Sequence, residues 1–243
     1  MIADALRKSI LQQAVQGKLS KQLPTDGDAR ALLREIQSEK LRLVAEKKIK
    51  AAPPLPPITA DEIPFDIPQN WCWARLGDIC EYIQRGKSPK YSTVEKYPVV
   101  SQKCNQLSGF SIEQAKFIEP DSLKSYDEEK ILKDNDLLWN STGLGTVGRM
   151  AIYDSLKNPY ELAVADSHVT VVRPFKKIFY KFIYFFIISP AVQSKMDSMT
   201  TGSTKQKELA TSTIKNILFP LPPLAEQKRI VARLEELLQE IEM

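Results

Sequence analysis

One histidine, His168, and three cysteines, Cys72, Cys80 and Cys104, are all that this sequence holds of the side chains that most often bind transition metals or activate nucleophiles. The cysteines are odd in number and form no Cys-x-x-Cys pair, so neither a disulfide framework nor a cysteine zinc site is supported, and they read as reduced, mostly buried thiols. His168 lies on a strand-like run and reads as structural, which disfavours histidine-based metal or nucleophile chemistry. No apolar run approaches the roughly 20 residues of a membrane span, and Met1-Ile2-Ala3-Asp4-Ala5 lacks the regions of a signal peptide, so a cytoplasmic protein is expected. A Gly-x-x-x-x-Gly-Lys-Ser/Thr loop is missing too, which excludes ATP-driven translocation by this chain. No internal repeat is visible, and no cofactor is expected.

What is present is an uneven charge distribution. The 243 residues carry 34 basic and 30 acidic side chains, a net charge of +4. Residues 1 to 52 hold eleven basic and six acidic groups, while residues 224 to 243 hold three and five. The two ends are therefore electrostatically complementary and suited to pair, within one chain or between two. Residues 53 to 223 are nearly balanced, so any binding of DNA by the middle alone should be weak and salt-sensitive.

Hydrophobic periodicity divides the chain. Leu6, Ile10, Leu11, Ala14 and Val15 give a helix over about Ile2 to Gln16, with Gly17 as terminator; Asp28 caps a second helix reaching about Lys50. The run Pro53-Pro54-Leu55-Pro56-Pro57, with Pro64 and Pro68, makes residues 53–68 a semi-rigid linker. From Trp71 the pattern changes to short strands at Ile79–Gln84, Tyr97–Ser101, Leu137–Trp139, Met150–Tyr153, His168–Val172 and Ile214–Phe219. Helices are expected at Phe179–Ile188 and around Ala191–Met199. The aromatic cluster from Phe179 to Phe186 faces both sides of its helix and reads as core rather than as a base-stacking platform. After the brake Leu221-Pro222-Pro223, a helix opens with Glu226 in its first turn. Ile230, Leu234, Leu237 and Ile241 then recur at steps of four, three and four, a coiled-coil seam or the buried face of a terminal helix.

Three motifs invite enzymatic readings. Gly143-Leu144-Gly145-Thr146-Val147-Gly148 matches the dinucleotide fingerprint by letter, but Arg149-Met150-Ala151-Ile152-Tyr153 looks like a strand where that fingerprint needs a helix; a glycine-rich hairpin fits better. Pro120-Asp121 with Glu128-Glu129-Lys130 spells a magnesium nuclease signature, which requires convergence on adjacent strands. Asn158-Pro159-Tyr160 falls one proline short of an adenine-methyltransferase loop. Better signals for DNA contact are three polar loops. Arg85, Lys87, Ser88, Lys90 and Tyr91 surround Gly86, where cations would hold phosphates. Ser101, Gln102, Lys103 and Asn105 form the second loop, whose amides would read adenine edges; Thr200 to Lys207, with Lys205 and Lys207, form the third.

Leu221-Pro222-Pro223-Leu224-Ala225-Glu226-Gln227-Lys228-Arg229-Ile230-Val231 resembles the sequence that closes the recognition domains of type I restriction-modification specificity subunits. Leu6-Arg7-Lys8-Ser9-Ile10-Leu11-Gln12-Gln13-Ala14-Val15-Gln16-Gly17-Lys18-Leu19 is similar to that family's other helical segment. Trp73, Leu76, Gly77, Asp78 and Ile79 resemble the start of a recognition domain. The resemblance implies an α+β fold: one mixed α/β target-recognition domain (69–220) between helical segments (1–52 and 221–243) that form coiled-coil pairings. It also adds Ser141, Thr142, Thr146 and Arg149 to the DNA-facing candidates. By the same resemblance the chain is a non-catalytic half-length subunit that reads half of a bipartite target in double-stranded DNA. Its partners would be methyltransferase subunits, a restriction/translocase subunit and a second half-subunit or second copy, paired antiparallel through Ile230, Leu234, Leu237 and Ile241. A self-contained nuclease or methyltransferase, or a truncated fragment, are the alternatives.

Overall fold

The computed structural model describes residues 2–106, 108–143, 145–202 and 207–242. In chain order its elements are α1 (Ile2–Val15), α2 (Ala29–Ala45), β1 (Cys72–Arg75), β2 (Cys80–Arg85), β3 (Tyr91–Ser92), β4 (Pro98–Val100), β5 (Asn105–Gln106), β6 (Gly109–Phe110) and β7 (Lys116–Ile118). There follow β8 (Leu137–Asn140), β9 (Met150–Ile152), β10 (Val164–Ala165), β11 (Val169–Pro174), α3 (Tyr180–Ile188), α4 (Pro190–Gln193), α5 (Met196–Met199), α6 (Thr211–Asn216), β12 (Leu218–Leu221) and α7 (Leu224–Glu242). The fold is α+β, and the chain folds into two compact units that do not follow its linear segments. One comprises residues 1–81, 174–195 and 214–243, the other residues 82–173 and 196–213.

The first unit is mostly helical. Strands β1 and β12 pair antiparallel, Cys72 opposite Leu221 and Arg75 opposite Leu218, which brings the residues before β1 beside the start of α7. Trp71 is buried there edge-on to Phe182 (6.1 Å between centroids), and Phe219 meets both Phe182 (5.6 Å) and Phe186 (5.2 Å). The aromatic cluster of α3 is thus core: Phe182, Ile183, Phe185, Phe186 and Ile187 are buried. Gly17 ends α1 with a φ of +72°, and a Cβ at that position would stand 2.5 Å from Pro68 Cγ, so both the turn and the packing demand glycine.

On α7 the seam residues Ile230 and Leu234 are fully buried, with α1 and α3 packed against the helix, while Leu237 and Ile241 are half-buried. This chain itself therefore covers the first half of the seam. The proline strap is fastened by Arg75, only 4% exposed. Extended prolines leave their carbonyls without internal partners, and Arg75 donates to Pro56 O (2.7 Å) and Pro57 O (3.1 Å), to Asn216 O (2.9 Å) and to the Glu62 carboxylate (3.0 Å).

The second unit is built from two four-stranded sheets, in the orders β2-β11-β8-β9 and β10-β4-β7-β3, with the two-stranded β5-β6. Only β10 and β4 run parallel among the described pairings. Strands β8 and β9 form the hairpin expected around the glycine-rich run, and no helix follows it. Inside this unit Arg173 binds Asp136 through two 2.7 Å contacts, donates to Ile131 O (3.0 Å) and lies over the Tyr82 ring at 5.2 Å.

The expected strand over Ile214–Phe219 is instead the end of α6 followed by β12. Ile214 is buried as a helical residue and the Asn216 carbonyl meets Arg75, so tertiary packing overrides a β-leaning local sequence. The second helical stretch after α3 is broken into α4 and α5.

Glu226, 0% exposed, accepts hydrogen bonds from Trp71 Nε1 (2.9 Å), Ser20 Oγ (3.0 Å) and Gln22 Nε2 (2.9 Å). Glu226→Ala would strand these donors and is expected to cost about 3 kcal/mol, read as a lowered urea midpoint. Nearby, Arg229 binds Asp26 (2.6 Å) and holds its carboxyl below the usual carboxylate range. That contribution is complete above the unfolded-state pKa of about 4 and vanishes as pH falls through the lowered folded value. The stability gap between the natural protein and Asp26→Asn should accordingly close on acidification; a gap unchanged with pH contradicts the assignment.

Candidate nucleic-acid interface

The second unit contains fourteen basic and fourteen acidic residues, so whatever it offers a polyanion is local. One such local feature is a concavity of about 360 Å³ lined by Tyr91, Val99, Ser101, Gln102, Lys103, Glu113, Gln114, Ala115, Lys116, Asp166 and His168. Four segments build it, one of them residues 113–116, which lead into β7. Of the others, the first turns at Gly86, whose amide donates to Val169 O at 3.0 Å and where a Cβ would come within 2.1 Å of Ala165 O; only glycine lets this loop lie against the β10–β11 turn. The second is the Ser101–Cys104 turn, in which Ser101 Oγ accepts from the Lys103 amide at 3.3 Å. The third is the β10–β11 turn itself, where Asp166 Oδ1 accepts from the His168 amide at 2.9 Å, an Asx turn.

The sequence candidates divide by accessibility. Tyr91, Ser101, Gln102 and Lys103 meet at the concavity. Tyr91 is 53% exposed and carries Lys116 over its ring at 4.9 Å; Lys103, Lys116, Ser88 and Lys90 are exposed. Lys87 reaches Ser125 Oγ (2.7 Å) and lies over Tyr126 at 5.2 Å. Arg85 is half-buried, paired with Glu208 at 3.0 Å and bonded to Leu209 O at 3.1 Å. Lys207 pairs with Asp197, and Lys205 lies outside the described residues.

Several candidates hold the frame. Asn105 is 0% exposed and its Nδ2 donates to Leu138 O (3.0 Å) and Asn140 Oδ1 (2.7 Å). Ser141, also 0% exposed, donates to His168 O (3.1 Å) and accepts from Thr170 (2.9 Å). Thr142, 4% exposed, lies between Gln102 Nε2 (2.8 Å) and His168 Nδ1 (2.6 Å). Thr146 Oγ1 meets Gln102 Oε1 at 3.2 Å, and Arg149 donates to Asn105 O at 3.3 Å. Both ends of the Gln102 amide are engaged inside the protein.

Asp166 and His168 line the concavity although neither was a candidate. His168 belongs to a turn and is exposed, not to the strand on which its neighbours placed it. Asp166 is 4% exposed, and burial raises its carboxyl above the ordinary value against the pull of the His168 amide. The polar Asp166-Ser167-His168 interrupts two apolar runs, a turn signal that was available. Gln114 and Lys116 join the same rim.

The motifs with enzymatic overtones are dispersed. Asp121 lies in the 3-10 turn Pro120–Ser125 beside Lys124 (3.3 Å), and Glu128 and Lys130 in the next turn, Glu128–Lys130, instead of on adjacent strands. Among the described residues no group of three histidine, cysteine, aspartate or glutamate side chains could hold a metal ion. Asn158 donates to Tyr153 Oη at 2.9 Å and accepts from the Tyr160 amide at 3.1 Å, while Tyr160 packs edge-on to Phe117. No helix of the described residues is long and apolar enough to cross a membrane.

Residues 68–243 match the family model of the type I restriction modification DNA specificity domain. Over 242 residues the chain is 34% identical to the type I restriction enzyme EcoAI specificity subunit of Escherichia coli, covering 96% of this chain and 39% of that protein. The EcoEI specificity subunit of the same species is 28% identical over 240 residues, covering 96% and 40%. The chain thus spans about two fifths of the length of these curated relatives. Among solved structures, the HsdS subunit of Thermoanaerobacter tengcongensis superposes with a TM-score of 0.54 at 19% identity, over 99% of this chain and 49% of that one. A structure described as the basis of complex assembly and conformational transition of the type I R-M system gives 0.56, also at 19% identity, over 99% and 50%. At that identity the superpositions speak for the fold alone.

Frame and rim should separate on mutation. Asn105→Ala leaves Asn140 and the Leu138 carbonyl short of a buried donor and is expected to cost about 2–3 kcal/mol in urea denaturation. Lys103→Ala, on the exposed rim, should stay within about 0.5 kcal/mol.

Proposed function

The chain belongs to the type I restriction-modification DNA specificity family, and on that premise we propose that it is a non-catalytic subunit reading half of a bipartite sequence in double-stranded DNA. The observation that carries this reading is the family match across 68–243, which includes the whole second unit and its polar concavity. The exposed Lys90, Lys103 and Lys116 would hold phosphates and set register, and the groups inside the concavity would meet base edges. The balanced charge of the unit supports a reader with few phosphate contacts, whose binding alone would be weak.

A domain of this size touches few base pairs, so useful specificity requires a second reader at fixed spacing. In this proposal two chains, or this chain and another half-subunit, supply the pair. The surface available for joining them is the apolar remainder of the helical seam. Ile2 (86% exposed) and Leu6 (46%) on α1, with the half-buried Leu237 and Ile241 on α7, extend it beyond what this chain covers. Methylation would come from methyltransferase subunits, and cleavage from a restriction/translocase subunit, in the cytoplasm where the DNA is.

Modified-base sequencing of DNA from cells expressing this chain and a compatible methyltransferase subunit, with no other specificity protein, tests the reading. A split, palindromic methylated motif is expected. Absence of any motif, with assembly verified and the methyltransferase active, refutes recognition by paired copies.

A further inference from the structure

The polar groups of the concavity impose a hydrogen-bonding pattern that follows from how they are held. The Gln102 amide cannot be turned over: its Nε2 donates to Thr142 O, and a carbonyl only accepts. The same Nε2 donates to Thr142 Oγ1 at 2.8 Å, so the threonine hydroxyl has its own hydrogen to give, and His168 Nδ1 lies 2.6 Å away. Where Nδ1 accepts that hydrogen, Nε2 on the exposed side of His168 carries the ring N–H and is a donor. Two residues earlier, Asp166 uses Oδ1 to accept from the His168 amide, which leaves Oδ2 for the concavity that Asp166 helps to line. One turn thus brings a donor and an acceptor, two residues apart, to the lining of the same concavity.

We propose that Asp166 and His168 are the specificity-determining pair of this domain and that they recognise the major-groove edge of an adenine, Asp166 Oδ2 accepting from the N6 amino group and His168 Nε2–H donating to N7. In the major groove only adenine presents a donor beside an acceptor on one base. Guanine shows two acceptors, cytosine one amino donor, and thymine one acceptor and a methyl group. Asparagine and glutamine side chains read adenine in the same bidentate way, but here the amides placed by sequence to do so are spent: Asn105 is buried and Gln102 is pinned. The exposed Lys103 and Lys116 on the same rim supply the phosphate contacts that bring a base edge over the turn.

This assignment rests on the DNA-reading function proposed above, and one substitution separates the two. In Asp166→Asn the carbonyl stays with the His168 amide and the NH2 group faces the concavity, so the turn presents two donors, the complement of the guanine N7 and O6. The experiment is enrichment of duplexes from a randomised pool by the full chain, natural and variant in parallel, with circular dichroism as the check on folding. The natural protein is expected to enrich a motif in which one adenine becomes guanine for Asp166→Asn, the preference at that position moving by about tenfold or more while the others stay. His168→Ala, which removes an exposed ring, should relax the same position by a similar factor and decides the matter should Asp166→Asn misfold. A motif unchanged by the folded variants, or weakened evenly at every position, overturns the assignment. No motif for the natural protein overturns the DNA-reading function itself.

Discussion

A single buried carboxylate organises the helical unit. Glu226 is 0% exposed, and it is surrounded by donors from segments far away in sequence: Ser20 and Gln22 beyond α1, and Trp71 ahead of β1. A buried charge is costly unless its acceptor sites are filled, so the three segments must all arrive together for any one placement to be stable. Its position in the first turn of α7 adds the favourable field of the helix N-terminus. The neighbouring motif residues extend the same constraint. Gln227 accepts from the Phe179 amide (2.8 Å) and donates to Pro222 O (2.9 Å), while Arg229 reaches Asp26. Each polar letter after the prolines fixes α7 to a different part of its unit, which explains why this stretch reads as so distinctive.

Periodicity made the longer helices α1, α2, α3 and α7 legible, and the strands β2, β4, β8, β9 and β11. Ile10, Leu11, Ala14 and Val15 of α1 and Phe182, Phe185 and Phe186 of α3 are buried where their spacing put them, although Leu6 is exposed, and Asp28 caps α2 by accepting from the Arg30 amide at 2.7 Å. What periodicity could not carry was partnership. The seam of Ile230 and Leu234 has the same spacing whether its partner is another chain or α1, and the structure places α1 there. Nor could a linear reading show that residues 174–195 and 214–243 fold with the N-terminus. That grouping follows from the β1–β12 pairing, which joins residues nearly 150 positions apart.

The candidate site was half legible, for one reason. Residue type tells what a side chain can bond to but not whether its bonds are already made. Asn105, Ser141 and Thr142 have the right chemistry for bases, yet the hairpin loop they support needs that chemistry to satisfy its own buried backbone and amide groups. His168 was expected to open a strand over His168–Val172 and to be structural, and Asp166 lay outside that run. The polar Asp166-Ser167-His168 marks a turn in the sequence, but its place at a cavity rim follows from β10 and β11 belonging to different sheets.

This division of polar labour bears on how such a domain acquires specificity. The network from Asn105 through Asn140, Gln102 and Thr142 is interior, and removing any member leaves another group unpaired, so its changes are expensive. The side chains on the rim are attached to that network but do not support it, and exposed substitutions change stability little. With equal numbers of acidic and basic residues the unit would gain little from phosphates, so in the proposed reading discrimination would fall on base contacts at the rim. A few such contacts bind weakly when alone. On the proposed pairing, linking two readers would convert the second contact into an intramolecular event governed by effective concentration, so the surface that joins the chains would matter to affinity as much as the loops to sequence.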